Sequence, residues 1–257
     1  MMTEAEYSTR LMTNLGALKL NGIEINIKNY LRKIEKKEMS VVKALCELTD
    51  IEIEMKRERA IQGCVKVANF PFIKNLDQFD FDFQPSINRE EVYGLERLEF
   101  LENKENILFV GSPGTGKTHL SVAIGVEAAK NRKSTYFINC HELILDLKEA
   151  QKENRLEKRL KHFARYRLLI IDEVGFLPMD GDGSKLFFQL ISRRYEKTST
   201  IITTNIELSR WNDVFGDPVM ANAVLDRLLH HSTIIRVVGE SYRLKDKMLD
   251  IQHEKRR

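Results

Sequence analysis

Cysteine is scarce and scattered in this 257-residue sequence. Cys46, Cys64 and Cys140 are far apart, odd in number and form no CxxC pair. A disulfide framework and a thiolate zinc site are therefore excluded as expectations. The six histidines offer no substitute: His230 and His231 are adjacent, and neighbours on a helix point in different directions, so no metal centre beyond Mg²⁺ is expected. No apolar run approaches the roughly 20 residues that a membrane span needs. The opening Met1-Met2-Thr3-Glu4-Ala5-Glu6 is polar and acidic, without the basic and apolar regions of a secretory leader. A cytoplasmic protein with no membrane partner is expected. Charge of one sign is also lacking. The net charge is +3 although 31% of residues are charged, a balance that permits nucleic-acid binding without demonstrating it.

Proline is absent from residues 1–67, where Leu31, Ile34, Val41, Val42, Leu45 and Leu48 recur at helical spacings. The pattern predicts a small helical N-terminal domain over 1–67. Residues 68–85 break it with Pro71 and Pro85 and carry five phenylalanines; this reads as a linker that packs onto a core rather than floating free. From residue 86 to 257 short apolar runs alternate with helical stretches: 106–110, 134–139, 168–171, 199–204 and 234–238. Continuously apolar strands separated by helices predict an α/β domain with a central parallel five-stranded sheet covered on both faces.

The run Gly111-Ser112-Pro113-Gly114-Thr115-Gly116-Lys117-Thr118 matches G-x-x-x-x-G-K-[ST], with a strand before it and a helix after. Its glycines let backbone N–H groups curl toward phosphate oxygens, and the positive end of the helix adds attraction. Lys117 would reach the β- and γ-phosphates of ATP and Thr118 would bind Mg²⁺. Some 55 residues on, the strand Leu168-Leu169-Ile170-Ile171 ends in Asp172-Glu173. Asp172 would hold Mg²⁺ through water, and Glu173 would orient or activate the attacking water. Thr203-Thr204-Asn205 ends the fourth strand; Asn205 is either a γ-phosphate sensor, if that strand lies between the first and third, or part of an Asx turn. Arg227, after Asp226 in a helical pattern, is either an arginine finger for a neighbouring subunit or half of a local ion pair. Arg243, in Ser241-Tyr242-Arg243, is a weaker candidate for a second arginine over the nucleotide. Residues 148–167 hold eight cations against three carboxylates; such a run is either a solvated helix or a phosphate-backbone contact.

Together these segments resemble the IstB family of transposition helper ATPases, relatives of the DnaC helicase loaders within the AAA+ group. The resemblance runs from the helical N-terminal part through Ala68-Asn69-Phe70-Pro71, Leu76 to Phe81, Gly114 to Leu120, Leu169 to Gly175, Ser192 to Glu196 and Ser199 to Asn205. It ends with Asp226-Arg227-Leu228-Leu229-His230-His231-Ser232 and Gly239 to Arg243. It implies an AAA+ P-loop NTPase fold and an ATPase that multimerises on duplex DNA and stimulates a cognate transposase. It carries the nucleotide-binding run through His119 and implies that Arg227 acts in trans at sites between subunits, with Asn205 as sensor and Arg243 as second sensor. A DnaC-type replicative helicase loader is the alternative.

Overall fold

A computed structural model describes residues 2–245 of the chain. The basic tail, 255–257, lies outside them. The chain forms two compact units, Met1–Gly63 and Cys64–Arg257.

The first unit holds helices α1 (Glu4–Ala17), α2 (Asn21–Glu35) and most of α3 (Val41–Val67). Thr3 and Glu6 form a capping box that starts α1. The core is small: Leu15, Ile27 and Leu48, with Met12, Leu20, Ile23 and Tyr30 packed around them. No side chain of its own caps α2. Glu52 of α3 does so instead, accepting hydrogen bonds from the Gly22 and Ile23 N–H groups at 2.7 and 3.2 Å. This carboxylate is only 4% exposed, so its charge is compensated by otherwise unpaired N–H groups of the helix start.

The second unit is built on strands β1 (Asn106–Gly111), β2 (Thr135–Asn139), β3 (Leu168–Val174), β4 (Ser199–Thr204) and β5 (Ser232–Val237). They form one parallel sheet in the order β2-β3-β4-β1-β5. The fourth strand therefore does lie between the first and third. Strand residues alternate between two cores, as a period of two requires. Leu108, Val110, Leu169, Ile171 and Ile202 face α7 (Cys140–Lys152), α8 (Leu156–Ala164), α9 (Gly181–Arg194), α10 (Trp211–Phe215) and α11 (Pro218–Leu229). Ile107, Phe109, Leu168, Ile170, Ile201 and Ile235 face α6 (Lys117–Lys130), together with α4 (Arg89–Gly94), α5 (Glu99–Asn103), Leu76 and Phe79. The phenylalanine-rich segment thus packs into this second core.

β3 runs three residues further than the apolar pattern 168–171 indicates. Its pairing with β4 slips after Ile171↔Ile202 and resumes at Val174↔Thr204. Three steps on β3 oppose two on β4, which is a bulge, and Asp172 and Glu173 occupy it. Bulges re-aim side chains next to active sites.

The cations of the basic run find partners, and the histidine pair departs from helical geometry. Of the cations in 148–167, Lys148 pairs with Asp180, Arg155 with Glu153, Arg159 with Asp146, Lys161 with Glu157 and Arg167 with Glu102. Most of the run's positive charge is thus matched by carboxylates of the same unit. His230 and His231 do not diverge as helical neighbours would. α11 ends at Leu229, the chain turns toward β5, and the two rings lie 4.1 Å apart.

Candidate nucleotide site

The site lies where β1, β3 and β4 end. A cavity of about 310 Å³ opens there, lined by the loop 113–119, Glu173, Thr203 to Asn205, Arg243 and aromatic residues of the preceding linker. Ends of parallel strands are where such folds bind ligands, because helix N-termini and strand-end side chains converge there.

Two glycines make the loop possible. Gly114 has φ +80° and Gly116 φ +99°, conformations that cost a residue with a Cβ. A Cβ at Gly114 would lie 2.0 Å from Ser241 Oγ, and one at Gly116 2.5 Å from Phe79 Cε2. Gly116 also precedes α6 without a side-chain cap, leaving the first N–H groups of that helix for an anion. Lys117 folds back onto the loop, its Nζ donating to Ser112 O at 2.6 Å; Thr115 Oγ1 donates to the same oxygen at 2.8 Å. Burial holds the Lys117 ammonium down to about 8, with Asp172 opposing and Arg243 reinforcing the shift.

Thr118 Oγ1 donates to both Asp172 oxygens, at 3.0 and 3.1 Å, and Thr203 Oγ1 donates to Oδ1 at 2.5 Å. Burial pushes the Asp172 carboxyl up; the two threonine hydroxyls and Lys117 pull it back, while Glu173 adds to the rise. Glu173 is a non-glycine residue at φ +59°, an uncommon backbone state that clusters at functional positions. Its N–H donates to Thr203 Oγ1 at 2.9 Å, and its Oε2 accepts from Asn139 Nδ2 at 2.8 Å. Asn205 lines the cavity, and its Oδ1 is buried without a hydrogen-bond partner among the described residues. A buried acceptor left open is costly; a water or ligand donor in the cavity would satisfy it.

His119 lines the cavity too. Its Nε2 is 3.2 Å from Asn75 O, its ring meets Phe79 edge-on, and burial lowers its basicity. Arg243 is also in the lining. Arg227 is not: it lies 4.6 Å over the Phe188 ring and donates to Ala223 O at 2.9 Å. Among the described residues it forms no ion pair with Asp226 or any other acid, so it is not half of a local ion pair there.

Several functional neighbours carry no motif. Asn139 ends β2 in register with Asp172, and a polar residue at that strand end was the available signal. Phe72, Phe79, Asp80 and Gln84, all within the 68–85 linker, form one wall of the cavity. Gln84 donates to Glu240 O at 2.7 Å, and Tyr242 N–H donates to Gly114 O at 2.9 Å, so the wall, the C-terminal segment and the loop are tied together.

An uncapped helix start behind a glycine loop, with an acid-bearing strand two places across the sheet, is the arrangement of a P-loop NTPase of the AAA+ group. Among solved structures a DNA replication initiation factor shares this fold, with a TM-score of 0.54 at 19% identity over 72% of this chain and 56% of that one. The chain belongs to the family described as IstB-like ATP binding protein, which matches residues 13–250. A relative from Bacillus thuringiensis subsp. berliner, named as a putative ATP-binding protein of insertion sequence IS232, is 52% identical over 92% of this chain and 95% of its own length. One from Pseudomonas aeruginosa, named likewise for insertion sequence IS21, is 43% identical over 91% of this chain and 88% of its own. No described helix is long and apolar enough to cross a membrane.

Proposed function

We propose that the chain hydrolyses ATP in multimers on duplex DNA and in that state stimulates the transposase of its own insertion sequence. The observation that carries the ATPase reading is the Thr118–Asp172 contact, which brings a hydroxyl and a carboxylate together beside Glu173. Hard oxygen donors so placed fit Mg²⁺, which would neutralise phosphate charge. Lys117 and the loop N–H groups bind the phosphates, and Glu173 takes a proton from the attacking water or orients it. Asn205, with its open acceptor, holds that water or senses the γ-phosphate. Residues 86–257 form the ATPase domain in this reading, 68–85 a linker that also walls the site, and 1–67 a helical domain.

Arg227 supports a shared site. Its charge enters no ion pair among the described residues, and it does not line the cavity of its own chain, which suits a finger offered to a neighbour. Arg243, already in the cavity, is the second sensor. Multimers suit the DNA task, because bending duplex DNA costs on the order of several kcal/mol and many backbone contacts must offset it. The relatives' insertion-sequence names support the transposition role over helicase loading.

Mixing two inactive variants tests the shared site. Lys117→Ala lacks a working loop and Arg227→Ala lacks the finger. Mixed in equal amounts with duplex DNA, they should regain ATP turnover, because an Arg227→Ala chain then receives the finger of a Lys117→Ala chain. No regain sinks the shared site. Tighter binding to single strands than to duplex would favour the loader function instead.

A further inference from the structure

We propose that Glu196, His230 and His231 form a binding site for a divalent transition-metal ion, Zn²⁺ by the character of its donors. One ligand atom from each residue lies within 4.8 Å of the other two. His230 Nδ1 is 3.6 Å and His231 Nε2 3.7 Å from the same atom, Glu196 Oε1. Zn²⁺ bonds of about 2.0–2.2 Å at tetrahedral angles set ligand atoms roughly 3.3–3.6 Å apart. The distances from Glu196 to the two rings therefore need to change by only a few tenths of an ångström.

The local chain explains the convergence. His230 follows the last residue of α11 and His231 leads into β5, so the pair straddles a change of direction. Glu196 sits just past the end of α9 at φ +57°, where the chain reverses toward β4. Tyr195, beside it, places its hydroxyl 2.8 Å from His230 Nδ1, a contact that an ion bound to that nitrogen would displace.

A carboxylate oxygen facing two ring nitrogens is satisfied either by N–H protons on those nitrogens, which a neutral tautomer can supply, or by a cation held among the three atoms. Two imidazoles and one carboxylate are a donor set that suits Zn²⁺ and leaves a fourth position open, whereas Mg²⁺ prefers oxygen donors. None of the three residues lines the nucleotide cavity, so this ion would be distinct from the one ATP brings. Its position gives it an effect. Arg227 of α11 is three residues before His230 and rests on Phe188 of α9, and the ion would join the ends of those two helices.

The test uses the full-length chain without nucleotide, titrated with Zn²⁺ by calorimetry and with Co²⁺ by visible absorption. One ion per chain is expected, with a dissociation constant of about 10 μM or tighter, tetrahedral Co²⁺ bands and a rise in melting temperature. His231→Ala and the near-isosteric Glu196→Gln should each weaken binding at least about tenfold and abolish the melting shift. Both side chains are about half exposed (51% and 52%), so both variants should melt like wild type without metal. His162→Ala should bind as wild type does. Equal affinity in wild type, His231→Ala and Glu196→Gln, or no ion bound by wild type at about 100 μM Zn²⁺, overturns the proposal.

Discussion

Asn139 Nδ2 holds Glu173 Oε2 at 2.8 Å, so the carboxylate proposed to act on water is already engaged by an amide from the next strand. The amide competes with water for the same oxygen. Freed of it, Glu173 should have that oxygen open to the attacking water. Asn139→Ala should raise turnover without DNA by about three- to tenfold, the equivalent of one modest hydrogen bond, while ATP affinity stays within about twofold. Steady-state kinetics beside equilibrium nucleotide binding separates the two. A drop in turnover would show that the amide positions Glu173 productively rather than restraining it.

Glu173→Gln preserves shape and removes the proposed base. The amide of that variant cannot take a proton, yet the loop and Thr118 are untouched, so binding and chemistry should part. Turnover should fall by about 10²- to 10⁴-fold with ATP affinity nearly unchanged. ATP should then accumulate on the protein, and sedimentation should report whether the trapped state is assembled. Turnover within a factor of about ten of wild type would remove Glu173 from the chemistry.

The five strands and the phosphate loop were legible because each is written locally. Apolar runs of strand length and a fixed glycine spacing need no partner to be recognised. What stayed hidden depends on residues that only folding brings together. Asn139 looks like a helix cap in sequence, and indeed its Oδ1 accepts from the His141 N–H; only the β2–β3 register reveals that its amide faces Glu173. The bulge at Asp172 and Glu173 is a mismatch between two strands and has no signature in either. The aromatic linker advertised burial but not that Phe79 would lie against Gly116. Likewise, the histidine pair lies just past the end of α11, so the divergence of helical neighbours does not separate the two rings.

With Lys117 on the phosphates, as proposed, nucleotide binding should depend on pH. Burial holds its ammonium down to about 8 against an ordinary 10.5, and phosphates bound to it would raise that value, since they favour the charged form. Affinity for ATP is therefore full below about pH 8 and declines as pH rises through that range. Binding at pH 8.5 should take up part of a proton, measurable by calorimetry in buffers of differing ionisation enthalpy. The linked stability runs the other way. Below about pH 8 the lysine is charged in both folded and unfolded chains, and burying that charge costs stability in full. Between about 8 and 10.5 the folded chain has released a proton that the unfolded chain still holds, so stability from this group rises with pH across that window. Lys117→Met should abolish the proton uptake, and uptake equal to wild type in that variant would place the titrating group elsewhere.

Arg194 is the clearest case of a charge used for architecture. It is 2% exposed and enters no ion pair among the described residues, and burial lowers its guanidinium to about 9, still protonated at neutral pH. Its N–H groups donate to Thr200 Oγ1, to the carbonyls of Phe163 and Tyr166, and to Ser199 O. One side chain thus satisfies carbonyls at the end of α8, before β3 and at the start of β4. Methionine would fill some of the volume but leave those oxygens unpaired in a dry interior, at a cost of about 1–3 kcal/mol for each one that water cannot reach. Arg194→Met should lose about 3–5 kcal/mol and lower the melting temperature by roughly 6–20 °C for a domain of this size. Arg193→Met, one residue earlier, removes a partly exposed pair with Glu157 and should cost less than about 1 kcal/mol. Denaturant melts of the two variants side by side check this, and equal losses would mean that the buried arginine is not the tie that its hydrogen bonds describe.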